Sequence, residues 1–587
     1  MTKRFLGKGL KCPVRISTRG FKPLASHHLW NLGIFILMLG LTLPQMTWAQ
    51  DAVEVTIALP NPISLDPVSL SRFDTAGRDI AENLFVGLTR LNARTGQVEP
   101  QLAESWEVSA DGLLWTFKLR NDIQWVGIHP ETNELSALRP VVASDVVFAI
   151  QRACDPLRPS PRTSNIFIIK GCRVMATQDS LEPLPLETVA IQAIDDTTLQ
   201  IELLFPASSF LTMTSLPEFR PLPPEFINDS VGNWPRPGAV VTSGAWIVDN
   251  WEPNAQMRLV RNPFWAGEFE GNVTAVNIRF NAPIDTLALE IDQGTYDLAR
   301  LDPLLVQSGV ITQTGWLKSN DGNTLTLLGY SYNNQDAEGL QAPTVLDIPD
   351  VRRALSLAID RQTLVGSVYG STARPTDRFT PRTVIAAPST PGAGFDPVTA
   401  QNLLARAGFP ACAGFGQLSI AVSNDPLDLQ LAQNIVAQWG TNLGCPAETF
   451  PVVPVSRTAV LESAHNTVDV SENSRFPLWL ITWSGDYPDA QAWVTDALHC
   501  DYGYFRAGQV CDNTDTLMDQ ANAVFDITSR FTFYNQIESG LFGTQGTFPV
   551  APLAMELNWW AQKPSLSGVA SYGALQFDRW TVEGSTG

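Results

Sequence analysis

Apolar positions alternate first in VEVTIAL, where Val53, Val55, Ile57 and Leu59 share one face and polar or small residues fill the other. A period of two predicts a strand with one buried side. In RDIAENLFVGLTRLN the spacing changes, and Ile80, Leu84 and Leu88 recur as on a helix before a turn at residues 95–96. LLWTFKLR returns to alternation through Trp115, Phe117 and Leu119. A helix is then expected from Ser144, whose hydroxyl can cap it, with Val146, Val147, Ile150 and Ala153 three and four apart. TTLQIELLF, AWIVDNWEPNAQMRLVRNPFW and TAVNIRF predict four more strands, the middle segment folding back at Glu252, Pro253 and Asn254.

In the second half, DVRRALSLAIDRQTLV reads as one helix capped by Asp350, with Val351, Ala354, Leu355, Ala358 and Ile359 as its buried stripe. Two Asp-Pro pairs each place a capping residue before a proline suited to the first helical turn. They open DPVTAQNLLARAG, buried through Leu403, Leu404 and Ala407 and stopped at Gly408, and DPLDLQLAQNIVAQWG, buried through Ile435, Val436 and Trp439 and stopped at Gly440. Strands and helices mixed in both halves predict α/β lobes.

The first 50 residues differ from the rest. They carry seven basic residues and no acidic one, then an apolar run from Leu29 to Leu43 and the segment PQMTWAQ. This order is that of a secretory signal peptide, with residues 1–49 removed by cleavage after Ala49. The competing reading is a retained anchor, but a span needs roughly 20 apolar residues. No cysteine follows the run to accept a lipid. The mature protein is therefore expected in the periplasm or outside the cell, not lipid-anchored.

Cleavage sharpens the charge. Lys plus Arg falls from 39 to 32 against 59 Asp plus Glu, moving the formal charge from −20 to −27. Such acidity disfavours a nucleic-acid partner, which rewards clustered Lys and Arg. Removing Cys12 leaves Cys154 and Cys172, Cys412 and Cys445, and Cys500 and Cys511, and their proximity suggests disulfides within each pair. His129, His465 and His499 are scattered, so neither a metal site nor a cofactor is expected. The motifs G-x-S-x-G, G-x-G-x-x-G, the P-loop and H-E-x-x-H are absent. Asp486 and Asp489 in DYPD could supply a glycosidase pair, a weak signal in so acidic a chain.

Several segments resemble one family in order: GLTRLNARTGQVEPQLAESWEVSADGLLWTFKLRNDIQW, PVVASDVVFAI, Ser243 to Trp265, Asp350 to Val365 followed by ARPTDRFTP, and WSGDYPDAQAWV. They are similar to the peptide/nickel class of extracytoplasmic solute-binding proteins, family 5, the receptors of ABC importers. The resemblance implies a periplasmic-binding-protein-like fold (type II, cluster C) with two main lobes around a hinged cleft and a small insert lobe. Lobe I would comprise 51–87, 193–292 and 547–587, the insert 88–192, and lobe III 293–546. It implies a non-enzymatic monomer that captures an oligopeptide or other small organic ligand and docks on membrane permeases.

By the same resemblance Asp486 would pair with a peptide's amino terminus, although it could instead cap the helix that follows. Trp483 and Tyr487 would be pocket walls or core residues, Asn333 would bond an extended ligand, and Arg374 would approach it or stay in solvent. The segment NDIQWVGIHPETNELSALRP replaces a shorter turn and leaves the ligand class open. Oligosaccharide capture and a secreted carbohydrate hydrolase are the alternatives.

Overall fold

A computed structural model describes residues 52–587 apart from 73, 130, 131, 133, 159, 179–183, 229–233, 333–343, 466–475, 506–510, 570–572 and 585–587. The expected signal peptide and Asn333 lie outside the described residues. An eleven-stranded mixed sheet organises the chain. At its centre two long strands, Leu317–Tyr330 and Val550–Gln562, run antiparallel. On one side Leu298–Leu301, Glu54–Leu59, Ala275–Phe280, Gln256–Arg261 and Trp246–Glu252 follow. On the other lie Leu478–Trp483, Ile420–Ser423 and Val452–Val455, and Ala373–Pro375 adds to Val550–Gln562. The result is a two-lobed, type II periplasmic-binding-protein-like fold.

The first strand shows how the alternation becomes packing. Val55, Ile57 and Leu59 enter the main core, whereas Ala58 enters a smaller one under the Ile284–Asp292 helix. The strand is parallel to both neighbours and covered on both faces, as parallel strands usually are. Trp115, Phe117 and Leu119 are likewise buried on Leu114–Leu119. That strand belongs to a separate four-stranded sheet with Ala103–Val108, Thr198–Glu202 and Ile191–Asp195. Residues 193–202 thus share a sheet with the segment expected to form the insert. The longer NDIQW segment folds into a hairpin of Gln124–Ile128 and Leu135–Pro140.

Several helix ends differ from expectation, each for a local reason. The first helix is Thr75–Leu84, so Leu88 lies beyond it; Asp74 caps it by accepting from the Gly77 amide at 2.9 Å. Ser144 does not cap Ala143–Ala153. Asp145 accepts from the Val142 amide at 3.1 Å and is also held by Trp125 and Arg139. The stretch read as one helix is two, Pro349–Leu357 and Arg361–Val368. Asp360 caps the second through the Thr363 amide. Asp350 sits inside the first turn of the first, paired with Arg353 and, at 2.7 Å, with Arg406. Asp396 and Asp425 cap Pro397–Arg406 and Pro426–Leu443 as expected, but the latter runs through Gly440 to a left-handed turn at Gly444. The Trp439 indole donates to the Leu355 carbonyl at 2.8 Å and ties this helix to Pro349–Leu357.

The disulfides are Cys154–Cys172, Cys412–Cys445 and Cys500–Cys511, the sequential pairing. Among the described residues no helix is long and apolar enough to cross a membrane.

Candidate functional site

The Leu478–Trp483 strand lies in the sheet between Leu317–Tyr330 and Ile420–Ser423, parallel to the latter. Its carboxyl end opens into the loop Ser484 to Asp489, the position where α/β sheets place ligands. Asp486 and Asp489 leave this loop with opposite fates.

Asp489 turns inward. It is 1% exposed, accepts from the Gln491 amide at 2.9 Å as the cap of Ala490–Trp493, and receives both Nη atoms of Arg530. Capping therefore falls to Asp489, not to Asp486. The two carboxylates do not form an acid/base pair, because one is fixed in a buried bidentate ion pair.

Asp486 faces the amino-terminal half of the chain. Arg72 donates to its Oδ2 at 3.0 Å, and Arg162 Nη2 lies 3.6 Å from its Oδ1. Arg72 is positioned just before the first helix, where Asp74 gathers the Ile63, Ser64 and Gly77 amides. Its guanidinium lies over the rings of Trp483, 4.9 Å from the centroid, and Tyr504, at 5.4 Å. Arg162 is deeper: its side chain is 2% exposed, and its Nε donates to Glu218 at 2.8 Å. Burial would lower the Arg162 pKa, but Glu218 and Asp486 hold it above its ordinary value. Burial pushes the Glu218 carboxyl up, opposed by Arg162.

Trp483 packs on Tyr504 and Phe505, with ring centroids 5.0 and 4.9 Å apart, so it joins the core and supports Arg72 at once. Tyr487 is buried and donates its hydroxyl to Asp496 at 2.7 Å. Burial pushes Asp496 up to about 7, opposed by the Tyr487 hydrogen bond and reinforced by Asp486 and Asp489. Beside this group Ser209 donates to Gln491 at 2.6 Å, and the Ser208 amide donates to the Asn522 carbonyl at 2.9 Å.

Asp486, Trp483 and Tyr487 therefore lie together. Arg374 is elsewhere, on Ala373–Pro375, 65% exposed and paired with Asp321 at 2.6 Å. Arg72, Arg162, Glu218, Tyr504 and Asp496 were not singled out from the sequence. Arg72 is 414 residues from its partner, and neither arginine belongs to a motif or a periodic stripe.

The profile of the bacterial extracellular solute-binding proteins, family 5 Middle, matches residues 97–505. The chain belongs to this family. Family-5 proteins bind and do not catalyse, and this member works outside the cytoplasm. The periplasmic oligopeptide-binding protein OppA of Escherichia coli K12 is 26% identical over 495 residues, 83% of this family-5 chain and 84% of its own. The probable deoxycholate-binding periplasmic protein YgiS of the same strain is 26% identical, covering 81% and 84%. Among solved structures, the Escherichia coli murein tripeptide binding protein MppA superimposes with a TM-score of 0.68 at 20% identity, covering 91% of this chain and 99% of that one. That likeness establishes the fold.

Proposed function

We propose that this chain is the extracytoplasmic receptor of an ABC importer, capturing oligopeptides beside Asp486 and delivering them to membrane permeases. The observation that carries this reading is near full-length kinship with a relative named for oligopeptides, spanning 83% of this chain and 84% of that one. The local chemistry supports it. Trp483, Tyr487 and Tyr504 supply aromatic surface, which gives contact area at low entropic cost. Asp486, Arg72 and Arg162 supply charge complementary to a peptide's termini. Asn333, which follows the central Leu317–Tyr330 strand, is proposed to bond the backbone of an extended ligand. The expected lobes would flank the cleft, with 193–202 carried by the insert sheet. Residues 1–49 would direct export and be removed in the course of it, leaving an unlipidated monomer.

Mass spectrometry of small molecules released from the purified mature protein tests the proposal. Free peptides are the expected cargo; oligosaccharides without peptides would sink it.

A further inference from the structure

The site's charge is not that of a lone carboxylate. Arg72 and Arg162 both face Asp486, at 3.0 and 3.6 Å, and Glu218 takes only the Nε of Arg162. Arg78, on the Thr75–Leu84 helix, lies within electrostatic reach of Arg162 and Asp486 and has no ion-pair partner among the described residues. Its neighbour Asp79 is engaged by Arg300 at 3.1 Å. Three guanidiniums thus meet two carboxylates. Asp496, whose carboxyl burial pushes up to about 7, removes only part of the surplus.

A second observation concerns hydrogen bonds. Both Nη atoms of Arg162 are buried without a hydrogen-bond partner, on a side chain 2% exposed. Buried donors left open are costly, and a guanidinium edge matches a carboxylate in a two-pronged bond. An ammonium approaching Asp486 would meet Arg72 already bonded to Oδ2 and Arg162 beside Oδ1. Like charges in a partly dried site repel strongly. A ligand carboxylate meets the reverse: open donors, a cation excess, and an Arg72 plane supported by two aromatic rings.

We propose that the ligand docks a carboxylate on Arg162 and Arg72, and that Asp486 positions these guanidiniums and does not read a free amino terminus. This rests on the peptide-receptor reading and narrows it to ligands presenting an acidic group at this point. Carboxylate and ammonium make different demands here, so end-blocked peptides separate them.

The test is titration calorimetry of the mature protein, freed of bound ligand, with four forms of trialanine: free, acetylated, amidated and blocked at both ends. The acetylated form, carrying only a carboxylate, should bind at least about tenfold more tightly than the amidated form, carrying only an ammonium. Arg72→Gln should erase most of that preference, with its unfolding midpoint measured alongside. Arg162→Gln is to be paired with Glu218→Gln so that no buried acid is stranded, and it should act in the same direction. Equal or tighter binding of the amidated form, or a preference untouched by Arg72→Gln, would overturn the proposal and leave peptide capture standing. Failure of all four forms to bind would reject peptide capture, and this inference with it.

Discussion

Two aspartates three residues apart, with opposite surroundings, make a sharp stability experiment. Asp489 and Arg530 have side chains 1% and 4% exposed, and their bidentate contact includes a 2.9 Å bond from Nη1 to Oδ2. Removing one partner of such a pair leaves the other charged in the interior, which typically costs about 3–5 kcal/mol. Arg530 has little to fall back on, because its Nε is already buried without a partner. Asp489→Ala also strips the cap of Ala490–Trp493, a loss of about 1 kcal/mol that overlaps the first. Asp489→Ala should therefore lower unfolding stability by at least about 3 kcal/mol.

Asp486→Ala removes a carboxylate that is 11% exposed, while Arg162 keeps Glu218 and Arg72 keeps its aromatic seat. Its cost should be about 1–2 kcal/mol. Denaturant unfolding followed by tryptophan fluorescence suits the comparison, since Trp483 and Trp493 border the loop. A control swaps the whole pair: Asp489→Leu with Arg530→Met should recover much of the loss, because apolar replacements of similar volume can match a buried ion pair. If Asp489→Ala cost less than about 1 kcal/mol, or less than Asp486→Ala, the division between a structural and a site aspartate would be wrong.

Three further outcomes follow from other parts of the chain. The Cys154–Cys172 bridge joins fully buried sulfurs across 18 residues, and loop-closure entropy gives it about 3 kcal/mol; Cys511 is exposed, so graded reduction followed by alkylation should open Cys500–Cys511 first and Cys154–Cys172 last. Asp496, at about 7, holds a proton in the folded chain that an unfolded aspartate releases near about 4, so stability should fall as pH rises through that window. Glu556, pushed up to about 7 by burial, tilts the same way; Asp496→Asn should flatten part of the slope of melting temperature between those limits, and an unchanged slope would contradict the assignment. At Gly329 an added Cβ would collide with the buried Trp479 ring, whose indole is tied to Ser331, so Gly329→Ala should cost about 1–3 kcal/mol in the same unfolding assay.

What the sequence revealed and what it hid divide along the range of the forces involved. Val55 and Ile57, Trp115 and Phe117, and the capping Asp396 and Asp425 declare themselves because alternation and Asp-Pro caps act within a few residues. Where two local solutions compete, the pattern misleads. The stripe Val351 to Ile359 is buried throughout, yet Asp360 starts a new helix at its end; Asp145 outdoes Ser144 because Trp125 and Arg139 also need its carboxylate. The site lies beyond either kind of signal. DYPD marks a place in the fold, but its chemistry depends on Arg72 and Arg162, brought to Asp486 by the fold from 414 and 324 residues away. If a ligand docks here as proposed, a motif shared across a family can carry over the position of a contact without its sign. The sign would then be set by the two arginines that face Asp486.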